Sequence, residues 1–204
     1  MTSIESVTLE VPDTAAAGRF YTAAFGLDSQ VRVRAAEAAT AGFRGFTISL
    51  IASQPANVDS LINSALAAGA TVVKPATKSL WGYGGVVQAP DGTLWKIATS
   101  SKKNTSAAAR QVDDIVLLIG VADVAASKKF YLDQGLTVTK SFGRKYVEFA
   151  TSSGGIKFGL YGRRALAKDA GVAADGSGSH RIAITGGAES FTDPDGFDWE
   201  SASN

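Results

Sequence analysis

The 204-residue chain has no cysteine and one histidine, His180. Without cysteine there is no disulfide, no thiolate zinc site, no iron–sulfur cluster held by this chain and no cysteine nucleophile. With one imidazole the His-Glu-x-x-His zinc motif is excluded, as is any single-chain site that needs two histidines. Charge of one sign is also missing: 20 Lys and Arg stand against 19 Asp and Glu, a net charge of +1. No nucleic acid and no anionic membrane is therefore expected as a partner. Long apolar runs are absent as well. The longest, Ile115 to Ala122, ends at Asp123, far short of the roughly 20 residues that span a bilayer. Residues 1–11 carry Glu5 and Glu10 and no basic stretch leading into an apolar one, so a soluble, cytoplasmic protein is expected.

What is present is ordinary for a globular protein: 45% hydrophobic and 19% charged residues, against disorder. An internal repeat organises it. Val7 to Asp13 precedes Thr14-Ala-Ala-Ala-Gly-Arg-Phe-Tyr21 and Phe25-Gly-Leu27; Ile115 to Asp123 precedes Val124-Ala-Ala-Ser-Lys-Lys-Phe-Tyr131 and Gln134-Gly-Leu136. Each copy reads as strand, capped helix and Gly-Leu exit. Asp13 and Asp123 stand where an N-cap carboxylate accepts from the first helical amides. Gly26 and Gly135 suit the left-handed helix end. Pro90-Asp91-Gly92 and Pro194-Asp195-Gly196 are matching turns, followed by strands carrying Trp95 and Trp199.

Strands are expected at 5–11, 29–35, 44–52, 71–74, 83–89 and 93–99, then at 112–120, 137–142, 144–150, 156–161, 180–185, 189–192 and 198–202. Helices are expected at 14–25, 57–69 and 163–170, besides the one that the second repeat places before Gln134. The polar stretch running up to Arg110 lacks periodicity and reads as a linker. Domains are thus expected at 1–100 and 111–204, joined by 101–110. The second lacks a counterpart of helix 57–69, having only Thr185-Gly-Gly-Ala188 there.

The repeated strand–helix–strands unit, with Phe-Tyr on each first helix and Pro-Asp-Gly-x-x-Trp before each last strand, resembles the vicinal oxygen chelate superfamily. That group includes glyoxalase I, bleomycin-resistance proteins, fosfomycin-resistance enzymes and extradiol dioxygenases. The resemblance covers nearly the whole chain. It implies an α+β fold of two tandem glyoxalase-like domains built from βαβββ modules, both shortened here, whose sheets curl into cups that hold a metal or an organic ligand.

The family's metal positions, carried onto the second domain, fall on Asp114, His180 and Glu200; an alternative alignment puts Val116 in the first place. Ser179-His-Arg-Ile-Ala-Ile184 resembles the family's His-x-Ala strand, with Ile182 where that pattern has alanine. The matching places in the first domain, Ser6, Phe46 and Lys96, cannot hold a divalent cation. One imidazole and two carboxylates would suit a single Ni, Zn, Mn or Fe ion, with Glu200 or a metal-bound hydroxide moving a proton beside a carbonyl. This implies a glyoxalase-like lyase or isomerase acting on a small oxygenated molecule. The extradiol dioxygenases' two histidines are not available. Equally, His180 could be a solvated edge residue, the Asp113-Asp114 pair merely solvated, and Glu200 paired with Arg181 or Arg110.

The other expectation is a non-enzymatic binding protein of the bleomycin-resistance type. Flat rings bury large areas, and Trp81, Tyr83, Phe142 and Tyr146 are the candidate ligand contacts. Trp81 and Tyr83 sit among glycines in Ser79-Leu-Trp-Gly-Tyr-Gly-Gly85, where backbone can approach a ligand closely; domain packing is the competing role for them. Lys96 could meet an anionic ligand. The shortened halves suggest an incomplete cup that a second copy could close, as a homodimer. Asp175-Gly-Ser-Gly-Ser179 is glycine-rich but lacks the Lys-Ser/Thr of a P-loop.

Overall fold

A computed structural model describes residues 4–27, 29–187 and 189–202. Strand β1 (Ile4–Val11) leads into helix α1 (Thr14–Phe25). The Asp13 carboxylate accepts from the Ala16 amide at 2.9 Å, and Gly26 at φ 68° ends the helix. Strands β2 (Val31–Ala35), β3 (Ala41–Gly42) and β4 (Phe46–Ile51) follow. Helix α2 (Pro55–Ala67) begins with proline, whose missing N–H costs nothing in the first turn. Then come β5 (Thr71–Ser79), β6 (Gly82–Gln88) and β7 (Leu94–Thr99).

The second repeat supplies β8 (Asp114–Val121), α3 (Val124–Asp133), β9 (Val138–Phe142), β10 (Tyr146–Phe149) and β11 (Lys157–Gly162). Helix α3 is capped by Asp123, which accepts from Ala125 and Ala126. The chain ends with α4 (Arg163–Ala170), β12 (Gly176–Ser177), β13 (Ile182–Gly186), β14 (Phe191–Thr192) and β15 (Asp198–Glu200).

Two full βαβββ modules stand in the middle of the chain. Strands β4 to β7 with α2 form one, with β4 and β7 parallel. Strands β8 to β11 with α3 form the other, with β8 and β11 parallel. They join through antiparallel β4–β8 into an eight-stranded sheet ordered β5-β6-β7-β4-β8-β11-β10-β9. The outer modules are the shortened ones. The first keeps β1, α1 and β2; the last keeps β13, β14 and β15, and has no helix between β13 and β14 among the described residues. They join through antiparallel β1–β13 into a sheet ordered β14-β15-β13-β1-β2.

Each sheet takes strands from both halves of the chain, so the sheets do not follow the boundary between 1–100 and 111–204. The halves persist in another way. Tyr21 and Phe25 of α1 pack on Trp95 of β7, and Tyr131 of α3 packs on Trp199 of β15, with ring centroids 4.9–5.6 Å apart. Helices α1 and α3 thus stay with their own half while strands cross over, and one large core results. The stretch 101–113 contains no helix or strand, yet it is pinned. Buried Gln54 accepts from the Thr105 and Ser106 amides at 2.7 and 3.0 Å and donates to the Ser106 and Ala107 carbonyls. Asn57 accepts from the Ala109 amide.

Candidate functional site

Strand alternation gives the eight-stranded sheet two faces. Ile48, Leu50, Trp95, Ile97, Leu117 and Ile119 face the helices and the main core. The opposite face carries Ser49, Lys96, Val116, Leu118, Tyr146 and Tyr161, which line a cleft of about 500 Å³. Helix α4 occupies part of this face. Its Leu166, Ala167 and Ala170 pack with Phe43, Leu94 and Leu118 in a second apolar cluster. Asp169, in the last turn of α4, reaches the cleft and pairs with Lys96 at 2.7 Å. Lys74 donates to the Asp169 carbonyl at 2.8 Å, so two lysines hold the C-terminal end of α4, where cations are favoured.

The aromatic side of the cleft is built by facing strands. Tyr146 and Tyr161 are register partners with ring centroids 5.1 Å apart. The Tyr146 hydroxyl donates to Glu148 at 2.9 Å. Burial pushes the Tyr146 phenol well above its usual range, and Glu148 pushes it further. Burial also raises Tyr161, helped by the Asp169 charge. Both phenols therefore stay protonated and offer hydrogen-bond donors.

Of the aromatic residues singled out in the sequence, Trp81, Tyr83 and Tyr146 line the cleft. Trp81 stands at the rim on the turn between β5 and β6, 85% exposed. A Cβ at Gly82 would run into the Thr99 carbonyl and one at Gly84 would lie 2.7 Å from the Ile97 carbonyl, so the glycines serve close packing of β6 on the chain beside it. The Tyr83 hydroxyl donates to Asp59 on α2 at 2.7 Å. Phe142 is 63% exposed and stacks on Tyr146 at 6.0 Å without lining the cleft. Tyr161, Lys74 and Asp169 are additions. Alternation along β11 is a signal for Tyr161, once its pairing with Tyr146 is known. Nothing local places α4 in the cleft.

The metal set does not assemble. Asp114 lies in the eight-stranded sheet and pairs with Lys157 at 2.7 Å. Glu200 lies in the five-stranded sheet and pairs with Arg34 at 2.5 Å, not with Arg181 or Arg110. Arg34 also holds Glu10 at 2.9 Å, so a guanidinium bridges two carboxylates. His180 stacks on Phe197 at 3.8 Å, with Nδ1 2.6 Å from the Arg44 carbonyl and Nε2 2.8 Å from the Asp195 carbonyl. Both ring nitrogens therefore face backbone carbonyls, and neither is paired with Asp114 or Glu200. No group of three His, Cys, Asp or Glu side chains able to hold a metal occurs among the described residues. These donors do not fit the ion that the family resemblance implies.

No family model matches the chain, and no curated protein matches it in sequence. Solved structures do. Glyoxalase I from Zea mays is similar at 14% identity with a TM-score of 0.65, covering 98% of this chain and 91% of the other. Its V278E mutant gives 14% and 0.63, covering 98% and 92%. A putative dioxygenase from Bacillus subtilis gives 12% and 0.55, covering 90% of this chain and 69% of the other. At these identities the likeness speaks of fold. No helix among the described residues is long and apolar enough to cross a membrane. With two full βαβββ modules joined into one sheet and two shortened ones joined into another, the chain has the α+β fold of the vicinal oxygen chelate superfamily.

Proposed function

We propose that the eight-stranded cup binds a flat, oxygenated organic molecule without a metal ion, as a binding protein rather than a lyase or isomerase. The observation that carries this is the composition of the cup face. It offers aromatic rings from Trp81, Tyr146 and Tyr161, phenol donors, and Lys96. The metal-dependent reading needs Asp114, His180 and Glu200 together, and each of these is engaged elsewhere, Asp114 and Glu200 in different sheets and His180 in the loop before β13. Rings stack with flat ligands and bury large apolar area, while a few polar groups fix orientation. Lys96 supports an acidic or oxygen-rich end on the ligand. The cup is made by strands of one chain, so binding needs no second copy.

Trp95 and Trp199 are buried and Trp81 is not, so ligand entry should quench mainly Trp81 emission. Titration with planar carboxylates and phenols is expected to give saturable quenching that a metal chelator does not change. Glu200→Ala should leave affinity within about twofold, because its exposed ion pair is worth under ~1 kcal/mol. Tyr161→Ala should weaken binding about tenfold, followed by calorimetry. Binding abolished by Glu200→Ala, or by the chelator, would sink the proposal.

A further inference from the structure

A second cleft lies away from the cup. Its volume is about 340 Å³, and Arg44, Arg163, His180 and the segment Asp175–Ser179 bound it. The two arginines are held by neutral acceptors. Arg163 donates to the Phe43 and Ala174 carbonyls at 2.6 and 3.1 Å and lies over the Phe43 ring at 5.2 Å. Arg44 donates to the Asp91 carbonyl and, at 3.5 Å, to the Thr93 hydroxyl. A Cβ on Gly45 would fall 2.5 Å from Arg163 Nη1 and 3.2 Å from His180 Nδ1, so guanidinium and imidazole flank one glycine.

Arg181, next to His180 in the chain, stands close enough to Arg44 for their charges to interact but does not line the cleft. It is only 7% exposed, and its Nη1 is buried without a partner. It also adopts φ 61°, the one non-glycine residue at positive φ among those described. Burial lowers the Arg44 pKa first; the Asp91 charge offsets part of this, and the nearby Arg181 charge adds to it. Among the described residues, no ion pair involves Arg44, Arg163 or Arg181. Two carboxylates stand in range. Asp175 is on the cleft wall, and Asp91 is turned to the Tyr21 hydroxyl and the Thr93 amide. Arg181 is thus a strained, buried cation without an ion pair beside the cleft, and such departures cluster at functional sites.

We propose that this cleft is an anion site for a phosphate group, free or carried as a monoester, held by Arg44, Arg163 and the Ser177 and Ser179 hydroxyls. Guanidinium forks match phosphate oxygens. A glycine-flanked loop lets backbone amides approach them as well. Ser177 and Ser179, which also line the cleft, add hydroxyl donors to the arginines, and a phosphate offers more oxygens to such a set than a carboxylate does.

The test is calorimetry at constant ionic strength with inorganic phosphate, glycerol phosphate and acetate. Saturable binding of at least one phosphate is expected, with acetate about tenfold weaker or more. Glycerol phosphate binding more tightly than inorganic phosphate identifies a monoester as the cargo; equal affinity identifies free phosphate. Arg163→Gln should weaken binding about tenfold, and Trp81→Ala in the other cleft should leave it unchanged. Because Arg163 also ties two carbonyls, the double variant Ser177→Ala, Ser179→Ala on the exposed loop is the second arm, with an expected loss of about threefold. No saturable heat from either phosphate, or affinity undiminished in the double serine variant, would overturn the proposal.

Discussion

Tyr131 is fully buried, yet its hydroxyl has two partners: it donates to Asp193 at 2.6 Å and accepts from the Trp199 indole at 3.2 Å. Asp193 in turn accepts from the Asp195 and Phe197 amides at 2.9 and 2.8 Å. Burial raises the Asp193 pKa despite the lowering effect of the Tyr131 hydroxyl and the amides. Between the ordinary carboxylate value and the raised one, the folded state holds this proton more tightly than the unfolded chain. Stability from this group is therefore present at low pH and is lost as pH rises through that window. Asp193→Asn keeps one oxygen for the amides and cannot ionise. Thermal melts across acidic pH should fall less steeply with rising pH in Asp193→Asn than in the parent; equal slopes would count against the raised value. At this scale the sequence was informative about type and poor about partners. It marked Tyr131, Trp199 and the Asp-Pro-Asp-Gly turn, which are one network. It placed His180 on a strand edge, but its two carbonyl acceptors lie 136 and 15 residues away along the chain, beyond any local pattern.

Helix α4 illustrates the gap between finding an element and placing it. Its span, 163–170, follows from composition and from Gly171, which takes φ 84° at its end. Its apolar side is short and its polar residues many, so nothing local says that Leu166 belongs in a cup. Once there, α4 brings a carboxylate onto the cup floor. Asp169 neutralises Lys96 with both side chains about a third or more exposed, so the pair is worth no more than about 1 kcal/mol. Asp169→Asn should release Lys96 and raise the affinity of the cup for a planar carboxylate roughly two- to fivefold. A neutral analogue of the same shape should not gain. Titration of both ligands at low and high salt checks this, since the gain should fade as salt screens the ammonium.

The whole molecule is assembled by strand exchange between its halves. The repeat is plain in sequence, as are nearly all the strands and helices, because period-2 and period-3.6 patterns are local. The choice of partner is not local. Strands β1 and β8 are matching copies, each apolar on its buried face, so either could line up against β4 or β13. What decides is the truncation of the outer modules. An outer module lacking two strands or a helix cannot complete an eight-stranded sheet, and the two full modules pair with each other.

The pinned stretch around Gln54 bears on this exchange. Pairings that cross from one half to the other can be made within one chain or traded between two copies, the usual route to swapped dimers. A tether of fixed course gives the partner half of the same chain a high effective concentration and favours closure within the chain. Gln54→Ala would strip four backbone groups of the tether, on Thr105, Ser106 and Ala107, of their anchor. At high protein concentration this variant should refold to a larger fraction of interlocked dimer than the parent, visible by size exclusion with light scattering. A side chain that touches neither cleft would then govern whether the protein refolds alone or entangled with a neighbour.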